Sequence, residues 1–374
     1  MTSFSIASRI LVVLGAAGIG ALGVAGGCSS DDSTTPAETS ANTSNGASTS
    51  SSGAGATGAG GNGVGGMSAG GAGGTNAGGM GGTGMGGMGM GGMGMGGGPP
   101  GDAGKDGPPC PRRPFLVEAQ PRAGAIEARA DWTSPAGEGA LELDPVTRRA
   151  LAEAWLEDGR HEHASIAAFA RFTMLLVGVG APPDLVHGSQ RASLDEIAHA
   201  RACFGLAERY AGHARGPAAV SLEGVLARPV TLEEVAALTV HEGCVGETLG
   251  VLLASEQLAG ATDPAVRKML QKVVRDEMRH AELAWRFVKW AISRGGDSVR
   301  LAVSRALAEA TAETLALRYT DEPGVDAIAW RSHGRLTAER ASEVASRALD
   351  EIVAPCARAL LGSPAPADRT AVLA

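Results

Sequence analysis

The stretch Val273-Val274-Arg275-Asp276-Glu277-Met278-Arg279-His280-Ala281-Glu282 decides the fold. It lies inside a long helical pattern, and at its centre stands Glu277-x-x-His280. Residues three apart lie one above the other on a helix face, about 5–6 Å between Cβ atoms. A carboxylate and an imidazole in that spacing can hold one metal ion from a single helix. Alone, the pair is a weak signal, because chance produces it in any charged helix.

It is not alone. Asp195-Glu196-Ile197-Ala198-His199 repeats Asp-Glu-x-x-His, and a His-Glu pair precedes each copy: His161-Glu162 before the first, His241-Glu242 before the second. Glu162 to Glu242 is 80 residues and Glu196 to Glu277 is 81. So little drift marks an internal repeat of two helical hairpins of one design. Two helices giving one Glu each, and two giving Glu-x-x-His, form the inward-facing ligand set of carboxylate-bridged dinuclear metal bundles.

The same residues carry an energetic argument. Ile166, Phe169, Ala170 and Thr173 continue the stripe that holds Glu162, and Ala281, Ala284 and Phe287 do the same beyond His280. Carboxylates on an apolar stripe cost several kcal/mol each unless paired or metal-bound. Four Glu and two His place a net charge near −4 there, which two divalent cations would neutralise. Oxygen and imidazole donors suit Fe or Mn, and zinc accepts the same set.

Working outward, helix punctuation is clear. Asp144-Pro145 places an N-cap before Pro at the first helical position, and this helix runs to about Val177. The second runs from near Pro183 to Gly212. A Gly/Pro-containing connection, Gly212 to Pro229, is long enough to cross the assembly. Thr231-x-x-Glu234 is a capping box opening a third helix that ends near Gly260. Asp263-Pro264 starts the fourth, which runs to Gly295-Gly296. Two C-terminal helices follow within 297–361, at about Asp297–Arg318 and Arg335–Leu361, the last kinked at Pro355. No stretch reads as a convincing strand. The fold class is therefore all-α: a four-helix core over 145–295, built of two hairpins with a long crossover, plus the two C-terminal helices. Residues 109–143, rich in Pro, Gly and Arg, read as an arm packed along it.

The N-terminal third is different. Residues 1–27 read as an export signal: Arg9, then an apolar run from Ile10 through Val24 that is short and weak for a spanning helix. Ala25-Gly26-Gly27-Cys28 looks like a bacterial lipobox, with Cys28 the lipidated residue, although Ala25 stands where Leu is usual. The other reading is an ordinary export signal with an incidental Cys. Residues 28–108 form a tether: 27 of the 56 glycines lie between Gly53 and Gly101, and Thr39 to Pro100 contains no charged side chain. Such a chain cannot bury a core and is flexible coil by composition. Seven of the eleven methionines sit there, from Met67 to Met95. Thioethers suit Cu(I), and a drifting Gly repeat also tolerates Met. The expected location is the cell envelope, lipid-anchored and extracytoplasmic.

Cysteine spacing excludes a Cys-x-x-Cys metal module. A Cys110–Cys356 bridge is conceivable from location alone, and Cys203 and Cys244 read as buried thiols. The net charge of −8 argues against nucleic acid or an anionic membrane surface as partner. His161, His163, His241, Glu157 and Glu282 read as flanking groups, and His187 and His213 sit at helix edges.

The arrangement Glu…Asp-Glu-x-x-His…Glu…Asp-Glu-x-x-His resembles the ferritin-like superfamily, nearest to its rubrerythrin-like and tRNA-hydroxylase-like single-chain members. The resemblance covers roughly 145–295. It implies Glu162, Glu196, His199, Glu242, Glu277 and His280 as metal ligands, with Glu196 and Glu277 bridging. Asp195 and Asp276, each four residues before a ligand His, become candidates to fix the imidazole tautomers. Glu247 becomes an alternative or additional ligand. The rubredoxin-like electron donor of full rubrerythrins is missing, and Tyr210 and Tyr319 lie too far from a ligand for a tyrosyl radical. Export disfavours a tRNA substrate. The expected function is a membrane-tethered oxidoreductase reacting with O₂ or peroxide at an Fe or Mn pair. The alternatives are a metal-binding protein without turnover and a structural envelope lipoprotein with a vestigial site.

Overall fold

The structure, a computed structural model, describes residues 2–14, 113–137, 142–226 and 230–362. Cys28, the methionine-rich tether and Cys110 lie outside the described residues. What is described is mostly helical.

The caps sit where the sequence puts them. Asp144 Oδ1 accepts from the Val146 and Thr147 amides at 2.9 Å and opens α2, Pro145–Gly178. After a four-residue turn, α3 runs Pro183–Ala211 and ends at Gly212, whose φ of +79° is the left-handed conformation that stops a helix without a Cβ penalty. Thr231 and Glu234 cap each other reciprocally and open α4, Leu232–Thr239. Asp263 caps α6, Pro264–Ala316, accepting from Ala265 and Val266 at 3.0 Å.

Two features, both π-helical segments, differ from the expectation of regular helices. Between α4 and α5 (Gly246–Gly260) the chain widens into a π-helical segment, Val240–Val245. The fourth helix is interrupted at Gly296, as the Gly295-Gly296 punctuation predicts: φ +68° and ψ −141° there suit only glycine, and the limb beyond it, running to Ala316, is the first expected C-terminal helix. After a short α7, Ala327–Ser332, the last helix is divided: α8 (Ala338–Ala348), a second π segment Leu349–Val353, then α9 (Ala354–Leu361). Pro355 cannot donate the amide that a regular turn needs, and the wide turn precedes it.

α2 and α3 pack as one hairpin; α4, the first π segment and α5 pack against α6 as a second; α3 lies against α6. The core between them is aromatic and aliphatic, with Phe169, Phe172, Trp285 and Phe287 all but fully buried. Each such side chain contributes roughly 1.5–3 kcal/mol. The inward stripe of α2 runs Glu162, Ser165, Phe169, Phe172, Leu176. Ala170, expected on it, is exposed, because one helical turn falls short of four residues.

The arm over 113–137 does pack along the helices. It forms short antiparallel pairings, Leu116–Val117 with Gln120–Pro121 and Ile126–Glu127 with Gly216–Pro217. At Gly205 of α3 the arm comes so close that a Cβ would stand 1.9 Å from the Ser134 carbonyl oxygen. A helix at the N-terminus, α1 (Ser3–Leu14), buries Ile6 and Ile10 against α6 and α9 and pairs Arg9 with Glu282 at 2.7 Å. Among the described residues no helix is long and apolar enough to cross a membrane. Cys203, Cys244 and Cys356 are buried thiols.

Candidate metal centre

Five of the six expected ligands converge. Glu162 comes from α2, Glu196 and His199 from α3, and Glu277 and His280 from α6; all are buried. The Glu-x-x-His spacing does what helix geometry requires, stacking each carboxylate beneath its own imidazole: His280 Nδ1 to Glu277 Oε2 is 3.2 Å, His199 Nδ1 to Glu196 Oε2 is 3.7 Å.

Each carboxylate also reaches the other histidine. Glu277 Oε1 is 3.3 Å from His199 Nδ1, and Glu196 Oε1 is 3.1 Å from His280 Nδ1. Glu196 and Glu277 therefore each turn one oxygen to either imidazole. Glu162 joins on the His199 side, Oε1 to Nδ1 at 3.9 Å.

Glu242 does not join them. Its carboxylate accepts from Arg171, a contact shared with the Leu116 amide at 3.4 Å, and faces Arg113 Nε at 3.3 Å. All three charged groups are buried, and the Arg113 guanidinium lies between the Phe169 and Phe172 rings, 4.6 and 4.5 Å from their centroids. Glu247 instead groups with Glu277 and His280. In a regular helix, residues five apart point about 140° away from each other at about 100° per residue. The π segment lies between the two and resets which face looks inward. A copied His-Glu pair pointed to Glu242, and only Gly243 and Gly246, two poor helix formers, hinted at an irregularity.

The aspartates hold the histidines crosswise. His199 Nε2 donates to Asp276 Oδ2 at 3.1 Å, and His280 Nε2 faces Asp195 Oδ2 at 3.5 Å. Each imidazole thus takes its outer partner from the opposite helix, leaving both Nδ1 atoms aimed inward. Lys272 and Arg279 brace Asp276, and Arg279 bridges to Asp195 at 2.8 Å. Burial works against ionisation of Asp276, but His199, Lys272 and Arg279 outweigh it and hold the carboxyl well below its usual range.

Electrostatics inside the group are divided. Burial opposes the charges of His199 and His280, yet the surrounding carboxylates raise both imidazoles well above 6.5. Glu196 and Glu277 are likewise disfavoured by burial and lowered by the two histidines. For Glu247 the compensation from His280 is outweighed: burial first, and then the charge of Glu277, push it well above the usual carboxylate range.

No family model, curated protein or solved structure matches the chain. The donor set must speak for itself. Glu196 Oε2, His199 Nδ1, Glu277 Oε1 and both Glu247 oxygens are buried and make no hydrogen bond, a cost of several kcal/mol that a cation would remove. These buried Glu and His groups could hold a metal ion, and in two sets: Glu162, Glu196, His199 and Glu277, and Glu247, Glu277 and His280.

The flanking groups are elsewhere engaged. His161 pairs with Glu157 at 2.8 Å, His163 stacks edge-on to Trp132, and His241 faces Glu313 at 3.1 Å. Tyr210 bonds His333 at 2.7 Å.

Proposed function

We propose that this chain is a ferritin-like oxidoreductase carrying a dinuclear Fe or Mn centre and reacting with O₂ or peroxide. The observation that carries the reading is the placement of Glu196 and Glu277, one oxygen toward each histidine. A carboxylate so placed could serve two ions. Glu162 and His199 would hold one and Glu247 and His280 the other, with Glu196 and Glu277 available to both. Four carboxylates and two neutral imidazoles balance two divalent charges.

When bound, such a pair supplies redox equivalents to a small oxidant. The chain's own residues do the rest. Phe169 packs on His280 with ring centroids 5.0 Å apart, part of an apolar wall that excludes bulk water. Asp276 and Asp195 fix the histidine tautomers and take up the positive charge that metal binding would place on each imidazole. Glu247, whose proton burial and the charge of Glu277 hold more tightly than usual, would release it on ligating a cation. Burial of all the ligands restricts reactants to small molecules.

The lipobox-like sequence at Cys28 and the tether composition support, in this reading, a lipid-anchored location at the cell envelope. A second reading, metal holding without turnover, is favoured by the same burial.

The test is metal content of the full chain after anaerobic loading with Fe(II) or Mn(II). About two ions per chain are expected, lost in Glu196→Ala with Glu277→Ala; unchanged content in that variant would sink the assignment. Loaded protein that consumes neither peroxide nor O₂ would leave the second reading standing.

A further inference from the structure

The outer surface behind the two histidines is basic, although the chain as a whole is acidic. Lys268, Lys272, Arg275 and Arg279 recur along α6 at spacings of four, three and four, which lines them up on one helix face. Arg275 is 67% exposed and Lys272 39%, and Lys268 is exposed as well. On α3, Arg191 is exposed one turn before Asp195.

Part of this charge is internal. Lys272, Arg279 and, at 3.7 Å, Arg275 gather on Asp276, and Arg279 reaches Asp195. Two aspartates cannot balance four cations, so the strip keeps a positive excess. The aspartates it surrounds are the ones that meet the outer nitrogens of His199, at 3.1 Å, and His280, at 3.5 Å. From solvent to ligand the route is three groups long: an exposed cation, an aspartate, an imidazole. Local cationic potential over such a route draws a partner of opposite sign.

We infer that this face of α6 is the docking surface of an acidic one-electron carrier protein, which reduces the centre through the Asp276–His199 and Asp195–His280 pairs. The inference rests on the dinuclear reading above. Each encounter moves one electron: the carrier is oxidised by one and one metal ion is reduced by one, with no bond made or broken in this chain. The electrons come from a separate protein, recognised by charge.

The probe is an acidic [2Fe–2S] ferredoxin, with a cationic cytochrome c, phosphatidylglycerol vesicles and a DNA duplex as comparisons. Full chain, metal-free and loaded, is titrated at about 20 mM and about 500 mM salt, where the screening length shrinks from tens of ångströms to a few. Ferredoxin should bind both forms at low salt and neither at high salt, and cytochrome c should bind neither. Lys268→Glu with Arg275→Glu should weaken binding about tenfold, with Arg275→Gln giving a smaller loss should the double variant fold poorly. Reduced ferredoxin should be oxidised by loaded chain alone.

Ferredoxin that ignores a chain with two ions bound overturns the docking surface and leaves the centre intact. Binding by a chain that takes up no metal sinks the centre, and the electron route with it. Vesicles or DNA bound more tightly than ferredoxin, and released by the double variant, would reassign the strip to a membrane or a nucleic acid and overturn the proposal.

Discussion

Glu242 and Arg113 face each other at 3.3 Å with about 1% of either side chain exposed, and this pair keeps Glu242 out of the metal-competent group. Arg113 belongs to the arm, Glu242 to a π-helical turn 129 residues later. Buried ion pairs of this kind are costly to break singly, since the surviving charge is left without a partner.

Glu242→Gln should therefore cost stability, roughly 3–5 kcal/mol, while leaving metal stoichiometry unchanged. Glu247→Gln should do the reverse: one ion per chain lost, and a metal-free fold as stable as the parent or more so. Urea denaturation and metal analysis of both variants separate the two roles.

Asp276→Asn keeps the shape of the acceptor and removes its charge. With His199 no longer held by a carboxylate, metal affinity should fall about 10–100-fold while helical content stays the same. Competition with a calibrated chelator measures it. Unaltered affinity would mean that the 3.1 Å contact is only packing.

Metal-free protein should lose stability as pH rises. Against the cost of burial, neighbouring carboxylates raise His199 and His280 above 6.5, and burial raises Glu247 above 4.5. Raised values mean that the folded form holds these protons more tightly. Their contribution is complete below the unfolded values, and it fades as pH climbs through the folded ones. Glu196 and Glu277, lowered, act in the opposite sense and give way only in acid. Loaded protein should show no such decline on the alkaline side, because ligation expels the protons and affinity grows with pH. Melting temperatures of both forms between about pH 5 and 9 decide it.

Gly205→Ala drives a methyl into the Ser134 carbonyl. The arm must shift, at a cost of about 1–3 kcal/mol, and Ser134, whose amide bonds the Arg201 carbonyl at 3.0 Å, should come loose. Faster proteolysis between 113 and 137 with α3 intact is the expected readout.

Local signals were legible in the sequence. Asp144-Pro145, Thr231-x-x-Glu234 and Asp263-Pro264 open helices where they stand, because a cap is satisfied within three residues. The doubled Asp-Glu-x-x-His places four of the grouped ligands, because three residues make nearly one turn. What escaped depends on distant partners. Arg113 and Arg171 claim Glu242 from segments far along the chain, and a π turn has no sequence period of its own.

The crosswise contacts, His199 to Asp276 and His280 to Asp195, are what a two-fold axis would generate between identical hairpins. Neither half can orient its own imidazole; each borrows the acceptor from its counterpart. A half-length chain of this design would be inert alone and complete only as a symmetric pair. The two halves are not identical in this respect: the second carries the π turn, and there Glu247 rather than Glu242 lies beside Glu277 and His280.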